Sequence, residues 1–210
     1  MPYMFNRSAR LGAGKTLDSM AWAVKITEKV NTITGSDTTL WTTSMSPQVG
    51  LLSWNSIVED YAELMTANDK LMADSGYLDL LEEGAQYADG NGADDALIRL
   101  LHAEPLPEPP QFASITAGRV AAGHSATAMT LGVEMAKRIT AITGRPSLFG
   151  ASVTGEFGGI GFMVLSDTIE QVQAANEALA TDADWVKMVD DKASVAFEGG
   201  ATRTISRRIA

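Results

Sequence analysis

The chain has 210 residues, 16 basic and 26 acidic side chains, a net charge of −10, two histidines and no cysteine. That length suits one mid-sized domain or two small ones, with a core that needs no covalent staples. The missing cysteines exclude disulfides, thiolate metal sites, iron–sulfur clusters and cysteine nucleophiles, and the acidic balance works against nucleic acid and anionic lipid as partners.

Met1–Arg7 is not followed by a secretory apolar region, and no apolar run approaches the roughly 18–20 residues of a membrane span. A cytoplasmic location is the default expectation. The first predicted strand covers 5–11 and ends near Gly14; a helix follows over 17–34, with Met20, Val24, Thr27 and Val30 at helical spacing. It stops at Thr34-Gly35, the glycine suited to a left-handed cap. Two strands come next, over 39–45 and 51–55, joined by a turn at Ser46-Pro47-Gln48. Ser56 with Glu59 fits a capping box for a second helix, broken near Asp74 by a short extra helix holding Tyr77. A weak strand signal lies at 85–87. Residues 89–111 read as a linker: a turn cluster Asp89-Gly90-Asn91-Gly92, a short helix over 93–102, and a stiff segment from Glu104 to Pro110.

The same order then returns. A strand is expected over 112–120, a helix over 126–143 ending at Thr143-Gly144, and strands over 148–154 and 160–165 around a turn at Gly155-Glu156. A helix capped by Asp167 and Glu170 follows, then a break at Asp182, a short helix with Trp185, a last strand over 193–197 and a basic tail Arg203–Arg208 expected to be solvated or docked on an acidic face.

The recurrence extends to residue identities. Arg10, Ala13, Gly14, Met20, Val24, Ile33, Thr34 and Gly35 match Arg119, Ala122, Gly123, Met129, Val133, Ile142, Thr143 and Gly144 at a spacing of 109. Ala67, Asn68, Leu71 and Asp74 match Ala175, Asn176, Leu179 and Asp182 at a spacing of 108. Trp41 then falls opposite Phe149 and Trp54 opposite Phe162, and a single-residue deletion explains the change of spacing. Such a repeat indicates two copies of one unit. The units are 1–88 and 112–210, flanking the linker, and each reads β-α-β-β-α-β, the ferredoxin-like order. That unit leaves one sheet face bare, and the second copy is its simplest cover. The expected architecture is α+β: two tandem ferredoxin-like units forming an intramolecular pseudo-dimeric α/β barrel.

This layout resembles the dimeric α/β-barrel superfamily, with its antibiotic-biosynthesis-monooxygenase-like and NIPSNAP-like families. The Arg10–Lys15 opening and the short helices with Tyr77 and Trp185 carry the likeness, which covers nearly all of both units. The resemblance implies one of several roles: cofactor-independent oxygenation of quinol-like aromatics, in which the substrate carbanion itself activates oxygen, haem degradation, isomerisation, or no activity. Association of such pseudo-dimers into a larger oligomer stays open.

Gly12-Ala13-Gly14-Lys15-Thr16 fails as a phosphate-binding loop, because the required first glycine is Ala9. His102 and His124 lack companions at metal-ligand spacing, so no metal and no cofactor is expected. His124 remains a candidate for proton transfer. Arg10 and Arg119 are candidates to hold an enolate or phenolate if they point into the barrel; paired strand-edge arginines are the plainer alternative. Trp41, Trp54, Phe149 and Phe162 are candidates to line an aromatic cavity, against ordinary core as the alternative. Asn55, with Met163 or Val164 opposite it in the other copy, hints at a single functional half. The duplicated Asn68 and Asn176 suggest capping near Asp74 and Asp182. The leading expectation is a protein that binds, or oxygenates, a hydrophobic aromatic small molecule. The alternatives are a non-catalytic protein with a solid barrel and a haem-binding protein.

Overall fold

The computed structural model describes the whole chain except residues 13, 15, 47–49 and 106–108 and the side chain of residue 91. Lys15, most of the Ser46-Pro47-Gln48 turn and the middle of the proline segment therefore lie outside the described residues.

The first unit runs β1 (Tyr3–Leu11), α1 (Thr16–Thr34), β2 (Thr39–Met45), β3 (Leu51–Val58), α2 (Tyr61–Met72), α3 (Ser75–Gly84) and β4 (Ala88–Ala103). The second runs β5 (Phe112–Arg119), α4 (Ser125–Thr143), β6 (Ser147–Ser152), β7 (Gly159–Ser166), α5 (Ile169–Thr181) and α6 (Ala183–Met188). It closes with a π-helical turn Val189–Ala193, a short helical turn Ser194–Ala196 and β8 (Thr202–Arg208). The eight strands close into one barrel in the order β1-β3-β2-β8-β5-β7-β6-β4. Every neighbouring pair is antiparallel. Each unit contributes four adjacent strands, and the two units join at β2–β8 and β4–β6. The fold is thus two ferredoxin-like units in a pseudo-dimeric α/β barrel. Among the described residues, no helix is long and apolar enough to cross a membrane.

Both long helices end as the glycines demand. Gly35 has φ 75° and Gly144 φ 65°, and the Gly144 amide donates to the Thr140 carbonyl. The breaks after α2 and α5 are sharp because an aspartate caps the next helix. Asp74 accepts from the Tyr77 amide and Asp182 from the Trp185 amide, each at 2.7–2.8 Å. Each carboxylate also meets a cation from the long helix of its own unit, Lys29 at 2.9 Å and Arg138 at 3.2 Å. Capping is therefore done by these aspartates and not by Asn68 or Asn176.

Several expectations are corrected. The short helix expected over 93–102 is the second half of β4, which pairs with β1 on one side and β6 on the other. Its Gly90 and Gly92 sit at φ 93° and 80°, positions that read as a turn but lie inside the strand, where the β1–β4 register shifts. Residues 193–197 are mostly helical turns, and the last strand is the basic segment 202–208, held between β2 and β5. Residues 85–87 are a turn. The second helices start later than expected. Asp60 with Glu63, and Thr168 with Gln171, form the capping pairs, so Ser56 and Asp167 remain outside the helices.

Side-chain alternation separates the two faces of the sheet. One buried cluster draws only on strands, from both units: Met4, Trp41, Leu100, Ala113, Leu148 and Leu165. It lies on the inward face of the barrel. The other two clusters lie outside, each between the sheet and the helices of one unit. Trp41 therefore faces inward, whereas Phe149 faces α4. The residue that matches Phe149 is Leu40: Leu40 pairs with Trp54 across β2–β3 as Phe149 pairs with Phe162 across β6–β7. A one-residue error of register reverses the face.

Candidate functional site

The two helix-covered faces differ. In the second unit the space is full. Phe149 is wholly buried, stacks on Phe162 at 4.7 Å and lies directly on Gly132 of α4, where a β-carbon would stand 2.1 Å from the ring. Above them α5 buries Val172, Ala175 and Leu179. In the first unit α2 buries nothing. A cavity of about 760 Å³ opens between its inner side, α1, α3 and the outer face of β1 and β3. That volume falls within the usual range for small-molecule sites, roughly 300–1,000 Å³.

The walls are mainly apolar and aromatic. Phe5 and Trp54 come from the sheet, Trp22, Ile26 and Val30 from α1, Leu64 and Leu71 from α2, and Tyr77 and Leu81 from α3. Alternation puts Phe5, Arg7 and Ala9 on this face because Met4 points the other way. Trp54 and Trp22 meet edge to face, centroids 6.0 Å apart at 79°. The Trp54 Nε1–H donates to Thr27 Oγ1 at 2.9 Å, and that hydroxyl donates to the Ala23 carbonyl at 2.7 Å. The Trp22 Nε1–H donates to the Leu80 carbonyl at 2.7 Å.

One guanidinium enters this surface. The Arg7 guanidinium is clamped by Asp95 of β4 through two bonds of 2.7 Å, and it lies 5.7 Å from the Phe5 ring centroid. The bond to Asp95 raises the Arg7 pKa above its ordinary value, with the Tyr77 hydroxyl a lesser contributor. The side chains of Arg7 and Asp95 are 38% and 46% exposed, so the pair stands at an opening. Along another edge a hydroxyl chain ties the α1–β2 loop down. Thr34 meets Ser36 at 2.7 Å, Ser36 meets Thr38 at 2.9 Å, and Thr38 meets Ser56 at 2.7 Å. Asn31 holds the Thr38 amide at 2.8 Å. Glu63 and Lys70 lie on the outer rim.

Of the residues singled out from sequence, Trp54 lies in this cavity. Its neighbour Asn55 faces the barrel interior and accepts from Asn6 Nδ2 at 2.8 Å. Trp41 faces inward too, its Nε1–H on Thr39 Oγ1 at 2.9 Å. Phe149 and Phe162 fill the second unit. Arg10 pairs with Asp89 at 3.8 Å; Arg119 pairs with Glu156 and, at 3.9 Å, with Glu198. Both arginines are more than two-fifths exposed. His124 takes the position before α4 without bonding its end, and His102 lies 3.2 Å from Glu104. Arg7, Trp22 and Tyr77 are three of the cavity residues that the sequence did not mark for a site. A signal existed: at the matching positions of the second unit stand Thr116, Leu131 and Trp185, so two of the three change chemical class between copies.

No protein-family model and no curated protein matches the sequence. Solved structures match its shape. A candidate monooxygenase from Fusobacterium nucleatum superposes with TM-score 0.74 at 12% identity, over 100% of this chain and 93% of the other. An anthrone oxidase-like protein gives 0.65 at 8% identity over 100% and 91%. A haem-binding protein from Thermus thermophilus gives 0.54 at 10% over 100% and 91%. At these identities the likeness establishes the fold, which is that of the dimeric α/β-barrel proteins.

Proposed function

We propose that this protein binds a flat, hydrophobic aromatic molecule carrying an ionisable oxygen, in the cavity of its first unit. The observation that carries the reading is the cavity itself: aromatic walls around about 760 Å³, with a single guanidinium at one edge. Apolar walls bury the ring system, and Arg7 with the Tyr77 hydroxyl favours its ionised oxygen. Arg7 takes the part that the sequence suggested for Arg10 and Arg119, which are engaged by carboxylates elsewhere. A solid, non-catalytic protein is the weaker reading, because the first unit holds an open cavity.

Oxygenation is the finer step, and the fold's monooxygenase-like neighbours support it. A quinol-like substrate with an acidic CH₂ loses one proton to give a carbanion stabilised as the enolate. That anion passes an electron to dioxygen, and the radical pair joins as a hydroperoxide. Loss of water leaves a carbonyl, so CH₂ plus O₂ becomes C=O plus H₂O. The protein's share is a dry pocket and a cation that holds the enolate.

Haem suits this cavity poorly. Its described lining offers no histidine, methionine or cysteine as an axial ligand, both histidines stand outside it, and Tyr77 is the one lining residue of a ligating type.

The test is anaerobic titration with 1,8-dihydroxyanthrone, read by quenching of tryptophan fluorescence, then oxygen uptake on admitting air. Saturable quenching is expected, and Arg7→Thr should weaken it about tenfold above the phenol's pKa, as loss of a hydrogen bond to a charged group does. Absence of saturable quenching overturns the binding reading. Binding without catalysed oxygen uptake overturns the oxygenation step alone.

A further inference from the structure

The aromatic corner formed by Trp22 and Trp54 is held with unusual completeness. Both indole N–H groups are spent on the protein, one on the Leu80 carbonyl and one on Thr27. Neither ring has a donor left for a ligand, so each presents only its π surface and edges. Trp22 is also fixed from behind. Gly84, at the end of α3, lies so close that a β-carbon there would stand 2.2 Å from Trp22 Cζ2 and 2.7 Å from Cε2. Tyr87 flanks the same indole at 5.8 Å. The two rings then stand nearly perpendicular, at 79°. A flat ring laid on one of them meets the other edge to face, the arrangement aromatic groups prefer.

In the second unit Phe162 also meets an aromatic edge to face, Phe197 at 6.1 Å and 86°, but that pair is covered. There α4 carries Leu131 where α1 carries Trp22, and Phe149 and Phe162 stack on each other and fill the space. We infer that Trp22, seated on Gly84, is the specificity-determining residue of the site. It selects planar fused-ring ligands over saturated ones of similar size, and it does so in one unit only, so each chain takes one ligand. This inference rests on the proposed binding cavity and deepens it.

Isothermal titration above the phenol's pKa with two anionic probes tests it: 1,8-dihydroxyanthraquinone, which is flat, and deoxycholate, which is saturated and puckered. The native protein should bind the flat probe at one per chain and at least tenfold more tightly than deoxycholate. Trp22→Leu, which installs the second unit's residue, should weaken the flat probe three- to tenfold and leave deoxycholate within twofold. Trp22→Phe keeps a ring without the N–H and should restore most of the preference. Gly84→Ala should act like Trp22→Leu, with circular dichroism to confirm folding. Equal affinity of the native protein for the two probes overturns the inference and leaves the cavity reading standing. So does a Trp22→Leu variant that loses both probes alike or neither, or a stoichiometry of two. Failure of the native protein to bind either probe overturns the cavity reading and this inference together.

Discussion

Gly132→Ala places one methyl group between α4 and β6. The new β-carbon would stand 2.1 Å from Cζ, 2.3 Å from Cε1 and 2.6 Å from Cε2 of Phe149. That ring is wholly buried and stacked on Phe162, so it has no free space to enter. Overpacking costs roughly 1–3 kcal/mol, and three ring atoms inside contact distance put this case at the upper end. Alanine returns about 1 kcal/mol through its better helix propensity. The net loss should be about 2 kcal/mol, measured by urea denaturation at neutral pH with unchanged slope. The first unit supplies a control, because the same helix and strand positions hold Ala23 and Leu40, both fully buried. The double variant Gly132→Ala/Phe149→Leu copies that pair and should return to within about 1 kcal/mol of the native protein. A single variant as stable as the native chain would refute the packing argument. A double variant at the sum of the two singles would refute the claim that these positions are interchangeable pairs.

Three further outcomes are expected. Asp74 and Asp182 have carboxyl pKa values held below the ordinary range, Asp74 first by the Lys29 ammonium and Asp182 first by the Trp185 amide. A depressed folded-state pKa gives stability above the unfolded value of about 3.9 that is lost as pH falls through the folded one. Asp74→Ala and Asp182→Ala should therefore destabilise at neutral pH, with a deficit that shrinks in thermal melts as pH drops below about 4. Asp95→Asn removes the charge that competes for Arg7. It should tighten an anionic phenol several-fold by fluorescence titration while changing stability by no more than about 1 kcal/mol, as expected for an exposed pair. Thr27→Val strands the buried Trp54 N–H and should cost about 1–3 kcal/mol in urea melts.

Local chemistry made much of the fold legible. The strand over 39–45 appears with the bounds its alternation suggests, and Thr34-Gly35 and Thr143-Gly144 end their helices through positive φ. The aspartates at 74 and 182 marked the breaks because capping is a local act. What escaped was decided by partners distant in sequence. Residues 93–102 carry little β-branching, and only the ladders to β1 and β6 make them a strand. The basic segment 202–208 looked like a tail because its pairing with β2 and β5 leaves no trace in its own composition. For the site, the aromatic character of Trp54 was visible and its face was not. Trp41 and Phe149 seemed equivalent until strand register put them on opposite sides of the sheet. The cavity is a difference between copies: α2 stands off where α5 packs down, and nothing in either helix alone reports that gap.

The two seams that join the units, β2–β8 and β4–β6, have a kinetic consequence. The β2–β8 seam links residues very far apart, as the Ser46–Thr204 hydroxyl contact shows across 158 positions, whereas β4–β6 joins Ile98–Ala103 to Leu148–Ser152. Each unit can build its local strand pairs first, but the ring cannot shut until the C-terminal residues 202–210 reach β2, where the Ala210 carbonyl receives the Leu40 amide. Until then β2 and the outer edges of β4 and β6 are bare, and a second chain offers the same complementary edges. The tether between the units sets the local supply of the right partner, typically millimolar for short connections. Refolding dilute chains should give closed monomeric rings, and refolding crowded ones should give reciprocal exchange, two chains sharing two rings with every seam intact.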